Sequence, residues 1–195
     1  MLRPRQTVQE RRISANLCPP CHKFVWLRTC YDPSLQAQYD ELLHASGAMG
    51  DMAMGREWVL DDAALYDLGS DRGEIVRRTV RRIPSLCDPY WASVEEDYER
   101  YLDYEEEDGD ESELERASNR VRSALCVVDE GAIKERMIKV FWLGADGQCL
   151  WHNEIDPADV EEMSGTFLGG YTLSEGVETL FTRGERGCRM AVWRW

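Results

Sequence analysis

Met137-Ile-Lys-Val-Phe-Trp-Leu143, the link Gly144-Ala-Asp-Gly147, and Gln148-Cys-Leu-Trp-His-Asn-Glu-Ile155 decide how this chain folds. Two apolar, aromatic runs joined by a short glycine-bearing link predict a β-hairpin over 137–155. Upstream, Leu125-Cys-Val-Val-Asp129 is short and β-branched and reads as a further strand near 125–129. Downstream, Cys188, Met190 and Val192 alternate with Ala191, Trp193 and Trp195, which predicts a strand near 188–195.

Before the hairpin the periodicity is helical. Leu35, Tyr39, Leu42 and Leu43 recur at helical spacing within Ser34 to Ser46, and Gly47 supplies a stop. Met49, Met52 and Met54 lie in a small-residue linker, and residues 57–60 read as a short strand followed by a helical turn over Ala63–Leu68. From Asp71 to Ile83, Val76, Val80 and Ile83 share a face from which Arg77, Arg78, Arg81 and Arg82 are excluded, and Pro84 ends the helix. Trp91, Val94, Tyr98, Tyr101 and Leu102 form a stripe within a helix over 90–107, and Ser112 to Leu125 reads as another helix. Asp156-Pro157 pairs an N-cap with a first-position proline ahead of a short helix ending near Met163, and Thr172-Leu-Ser-Glu175 matches a capping box. Helices followed by strands predict an α+β fold, with the helical N-terminal part packed on one face of a mainly antiparallel C-terminal sheet.

The charge is uneven. The chain has 195 residues, with 23 Lys+Arg against 37 Asp+Glu, for a formal net charge of −14. Residues 1–30 hold six basic side chains and one acidic, whereas residues 95–115 hold thirteen acidic and one basic, Arg100. Residues 1–15 therefore read as a basic mobile tail, and 16–195 as a single α+β domain carrying an acidic segment at 95–115. No apolar run approaches the roughly 18 residues a membrane span requires.

Seven widely spaced cysteines, an odd number, read as reduced thiols in an intracellular protein of the cytoplasm or nucleus. An Arg-rich, acid-poor start is also what a mitochondrial targeting segment has, but Pro4 and a weak apolar face argue against it. Cys87, Cys126, Cys149 and Cys188 sit among apolar neighbours and read as small buried hydrophobes.

Cys18-Pro-Pro-Cys21-His22-Lys23 is the sharpest local motif. Over those residues it resembles the redox motif of thioredoxin-like proteins, which implies a thiolate at a helix N-terminus. That fold needs a strong strand before the motif, and Arg12-Ile-Ser-Ala-Asn16 is a poor one. Cys18-x-x-Cys21-His22 also resembles the haem-attachment motif of c-type cytochromes. A structural zinc site needs four N or S ligands, and the candidates are Cys18, Cys21, Cys30 and His44, with Cys87 the alternative fourth.

The run Glu105 to Glu113 fails as a calcium loop, because Tyr104 stands where the first carboxylate ligand belongs. It reads as a solvated acidic surface for a basic partner, and the Arg77–Arg82 face offers an internal one. Nucleic acid is disfavoured as a partner of those arginines, given the negative total and the lack of aromatic interleaving. His152, near Glu154 and Asp156, is the place where an acid/base site would stand. Phosphate-loop, dinucleotide-binding, nucleophile-elbow and zinc-protease motifs are absent from the sequence. The expectation is a non-catalytic protein-interaction or regulatory protein, acting on a protein partner through its acidic helical segment and an apolar-aromatic β surface. It would need no cofactor, or zinc alone; the alternative is a zinc-supported or thiol-redox protein centred on Cys18 and Cys21.

Overall fold

The hairpin forms as its sequence demands. In the computed structural model, which describes residues 5–17, 24–47, 58–87, 121–144 and 147–163, two strands of Ile138–Gly144 and Cys149–Ile155 pair antiparallel, with Trp142 opposite Trp151 and Phe141 opposite His152. Gly147 closes the turn at φ +76°, a conformation that side chains disfavour, and its amide donates to the Gly144 carbonyl at 3.0 Å.

Numbered in chain order, the helices are α1 (Val8–Asn16), α2 (Gln36–Ala45), α3 (Ala63–Tyr66), α4 (Arg72–Arg82) and α5 (Glu130–Glu135). The strands are β1 (Val25–Arg28), β2 (Val59–Leu60), β3 (Val121–Val128), β4 (Ile138–Gly144) and β5 (Cys149–Ile155). The sheet order is β2-β1-β3-β4-β5. The fold is α+β, but the sheet is mixed: β2, β1 and β3 run parallel, and only β3, β4 and β5 are antiparallel.

Two expectations are therefore corrected. The sheet is not mainly antiparallel, because Val25-Trp-Leu-Arg28 is a fifth strand, set between β2 and β3 and buried along its whole length. Such a strand shows no alternation, since both of its faces are covered. Nor do the helices lie on one face. The chain leaves β1 for β2 on one side and returns past β1 to β3 on the other, and right-handed crossovers then place the intervening helices on opposite faces. Tyr39 of α2 accordingly stacks on Arg28, 4.1 Å from ring centroid to guanidinium, on the face that carries Trp26. Arg72 of α4 reaches His152 on the opposite face, which carries Leu27, Leu125 and Phe141.

Residues 121–125, expected at the end of a helix, belong to β3. The basic tail is also revised, since residues 8–16 form α1. Its Thr7–Glu10 capping box is complete, and Ile13 and Glu10 are buried. The expected strand 188–195, the helix 90–107 and the acidic segment 95–115 lie outside the described residues.

Local chemistry explains the remaining boundaries. Asp62, Asp71 and Asp129 accept backbone amides at the starts of α3, α4 and α5, and Asp32 and Asp156 do the same for the short 3-10 turns Pro33–Leu35 and Pro157–Asp159. Arg136 closes α5 in the left-handed region at φ +56° and pairs with Glu41 at 2.7 Å. Trp26, Trp142, Phe141, Leu27 and Ile75 fill the core between sheet and helices. Cys87, Cys126 and Cys149 are buried thiols, as their apolar neighbours imply, while Cys188 lies outside the described residues.

Candidate functional site

Helix α4 reads Arg72-Gly-Glu-Ile-Val-Arg-Arg-Thr-Val-Arg-Arg82. Asp71 starts it by accepting the Glu74 amide at 3.0 Å. Ile75, Val76 and Thr79 turn inward, while Arg77 and Arg81 face water. Ile83 then leaves the helix at φ −125° and ψ 73°, as a residue before proline must. The outer face holds a recess of about 280 Å³ lined by Glu74, Arg77, Arg78, Arg81 and Arg82.

The four guanidiniums are not equivalent. Glu74 bridges Arg77 at 2.6 Å and Arg78 at 2.7 Å, and their side chains remain 66% and 41% exposed. Ion pairs this exposed are worth roughly 0.2–0.5 kcal/mol each, so either arginine can turn to another anion at little cost. Arg81 has no carboxylate partner among the described residues.

Arg82 is different. Its Nε and Nη2 hold the carboxylate of Glu10, the latter at 2.8 Å, and Nη2 also donates to the Arg5 carbonyl at 3.2 Å. Glu10 is completely buried and also accepts from the Tyr66 hydroxyl and the Thr7 amide. Burial alone would push the Glu10 carboxyl up. The hydrogen bonds from Arg82, Tyr66 and Thr7 outweigh it and hold the group below the usual carboxylate range. The same bond to Glu10 raises Arg82 further. Breaking such a pair costs about 3–5 kcal/mol, so Arg82 is a fixed strut and Arg77, Arg78 and Arg81 are the available cations. Guanidiniums stay protonated and only donate, so this face recognises anions and does not move protons.

The residues singled out in the sequence fall elsewhere. Cys18 and Cys21 lie outside the described residues. Cys30, just past β1, is buried with its carbonyl accepting from Arg28 Nε at 2.8 Å, and His44 is exposed in the last turn of α2. Among the described residues, no group of three or more His, Cys, Asp and Glu could hold a metal ion. His152 is buried, with its Nε2 3.3 Å from Arg72 Nη1 and its ring edge-on to Phe141. Because a guanidinium only donates, Nε2 is the accepting atom of that contact. Asp156 caps its turn through Ala158 at 2.9 Å, and Glu154 stands opposite Lys139.

Two charged sites have no counterpart in the sequence reading. Asp129 binds Lys139 at 2.6 Å in the interior while capping α5 through Ala132. Arg28, buried at the end of β1, lies between the rings of Tyr31 and Tyr39 and 3.7 Å from Asp61. The aromatics of the hairpin are core: Phe141, Trp142 and Trp151 are buried, and Trp142 Nε1 donates to Asn153 Oδ1 at 2.8 Å.

No helix among the described residues is long and apolar enough to cross a membrane. Comparison with protein-family models, curated proteins and solved structures finds no match for the chain.

Proposed function

We propose that this chain is a non-catalytic regulatory protein that docks an acidic segment of another protein on the arginine face of α4. The observation that carries this reading is the recess itself. Arg77, Arg78 and Arg81 converge on one concave surface, Glu74 bridges two of them, and Arg82 is tied to the body of the protein behind them. The acidic segment 95–115 is a second contact surface in this reading, suited to a basic partner. The hairpin aromatics Phe141, Trp142 and Trp151 serve as scaffold, since their burial withdraws them from docking. An intracellular setting accords with the unpaired thiols of Cys30, Cys126 and Cys149.

Isothermal titration with an octaglutamate peptide tests the reading. Saturable one-to-one binding at low salt is expected, weakened at high salt as exposed charge pairs are screened. A double R77A/R81A variant should lose about tenfold or more in affinity, the equivalent of about 1.4 kcal/mol. Absence of binding at low salt, or equal binding by the variant, would refute it.

A further inference from the structure

The charge and spacing on α4 point to a narrower ligand, and we infer that the arginine face selects a phosphorylated serine or threonine within the acidic partner segment. This inference rests on the docking reading above and specifies what is docked.

Four guanidiniums and the carboxylate of Glu74 line the recess, and Glu10 lies behind Arg82. The two carboxylates cancel two of the four positive charges and leave two. A phosphate monoester carries about −1.5 to −2 at neutral pH, whereas a glutamate side chain carries one. The charge left on the face therefore matches one phosphate group more closely than one carboxylate.

Geometry gives the same answer. Arg77 and Arg81 stand one turn apart, and Arg78 and Arg81 three residues apart, so the three side chains are neighbours on the helix surface. Glu74 already shows what a carboxylate does here: its two oxygens bridge Arg77 and Arg78, one turn on, while Arg81 stands a further turn away. A phosphate has three oxygens to offer and can engage three guanidinium forks at once, a match that planar arginine makes and lysine does not. A long polyanion such as nucleic acid fits less well, because the net charge of −14 repels it beyond the recess and α4 carries no aromatic side chain for stacking.

The test uses the full chain and three acidic peptides that differ at one central position, which is phosphoserine, glutamate or serine. At pH 7.5 the phosphoserine peptide should bind about tenfold tighter than the glutamate peptide. That advantage should shrink by pH 5.5, as the phosphate takes up a proton near its second pKa of about 6. R81A should abolish the advantage while leaving most of the glutamate-peptide affinity, and R81K should not restore it. Equal binding of the phosphoserine and glutamate peptides would overturn the phosphate selectivity and leave acidic docking standing. No binding of either peptide would overturn both. Duplex RNA that binds tighter than the phosphoserine peptide, with the same loss in R81A, would overturn the choice of a protein partner.

Discussion

Glu10 offers the sharpest perturbation of this structure. Its carboxylate is fully buried, yet it carries the charge that fastens α1 to α3 and α4 through Tyr66 and Arg82. Ile13 is the one apolar side chain of α1 that is buried, so this polar cluster supplies much of the attachment. Replacing Glu10 by alanine would leave the Arg82 guanidinium charged, buried and without its counter-ion. Removing one partner of such a pair costs about 3–5 kcal/mol, against a total stability of about 5–15 kcal/mol for a typical protein. For a chain of this size that corresponds to a fall in Tm of roughly 10 °C, readable by urea titration and by thermal melting. A double variant with apolar residues of similar volume, Glu10→Leu with Arg82→Met, should lose far less than E10A and R82A do in sum, because no charge is then stranded.

The pH dependence of the same site has a definite sign. Glu10 is held below the usual carboxylate range in the folded protein. Its contribution is therefore complete above the unfolded-state value of about 4.3 and is lost as the pH falls through the lower folded-state value. The wild-type chain should lose stability in that acid window, and E10Q should lose less. An E10A variant destabilised by under about 1 kcal/mol, with no change in acid slope, would refute the reasoning, because the pair would then behave as an exposed one.

Other sites give independent checks. D129N keeps an oxygen to cap α5 but strands the Lys139 ammonium, and should cost about 3 kcal/mol by denaturant unfolding, well above the roughly 1 kcal/mol of a lost cap. G147A meets both a positive φ and a contact of 2.9 Å from the added Cβ to Val80 Cγ1, and should lower stability by more than about 1 kcal/mol. Burial pushes the Cys126 thiol up, and the Cys149 thiol up to about 12, so neither should react with a disulfide reagent at pH 8 until the chain unfolds. R28K should destabilise despite keeping the charge, because a compact ammonium cannot stack between Tyr31 and Tyr39.

What the sequence disclosed and what it hid follow from physics. The hairpin was legible because Gly147 and two flanking aromatic runs state the turn and its strands together. Helix α4 was legible because Asp71 starts it and Pro84 stops it. Strand β1 was hidden: four residues buried on both faces carry neither alternation nor helical spacing, and only pairing with β2 and β3 reveals them. That omission produced both errors of architecture, since recognising β1 makes the sheet mixed and puts helices on both of its faces. The capping box Thr7-Val-Gln-Glu10 did announce a helix, but the surrounding arginines suggested a tail. Within the candidate site, the arginine cluster was visible and the odd member was not. Arg82 stands at i+7 from Ile75 and i+3 from Thr79, on the buried stripe, so its position already demanded an internal counter-ion. No spacing rule could supply Glu10, which lies 72 residues away in sequence.

The most direct test of the central claim is to follow the arginine Nε–Hε resonances of ¹⁵N-labelled protein while octaglutamate is added. The account predicts saturable shifts for Arg77, Arg78 and Arg81, with Arg28 unmoved in its tyrosine clamp. Uniform small shifts across all exposed arginines, or none on α4, would contradict it.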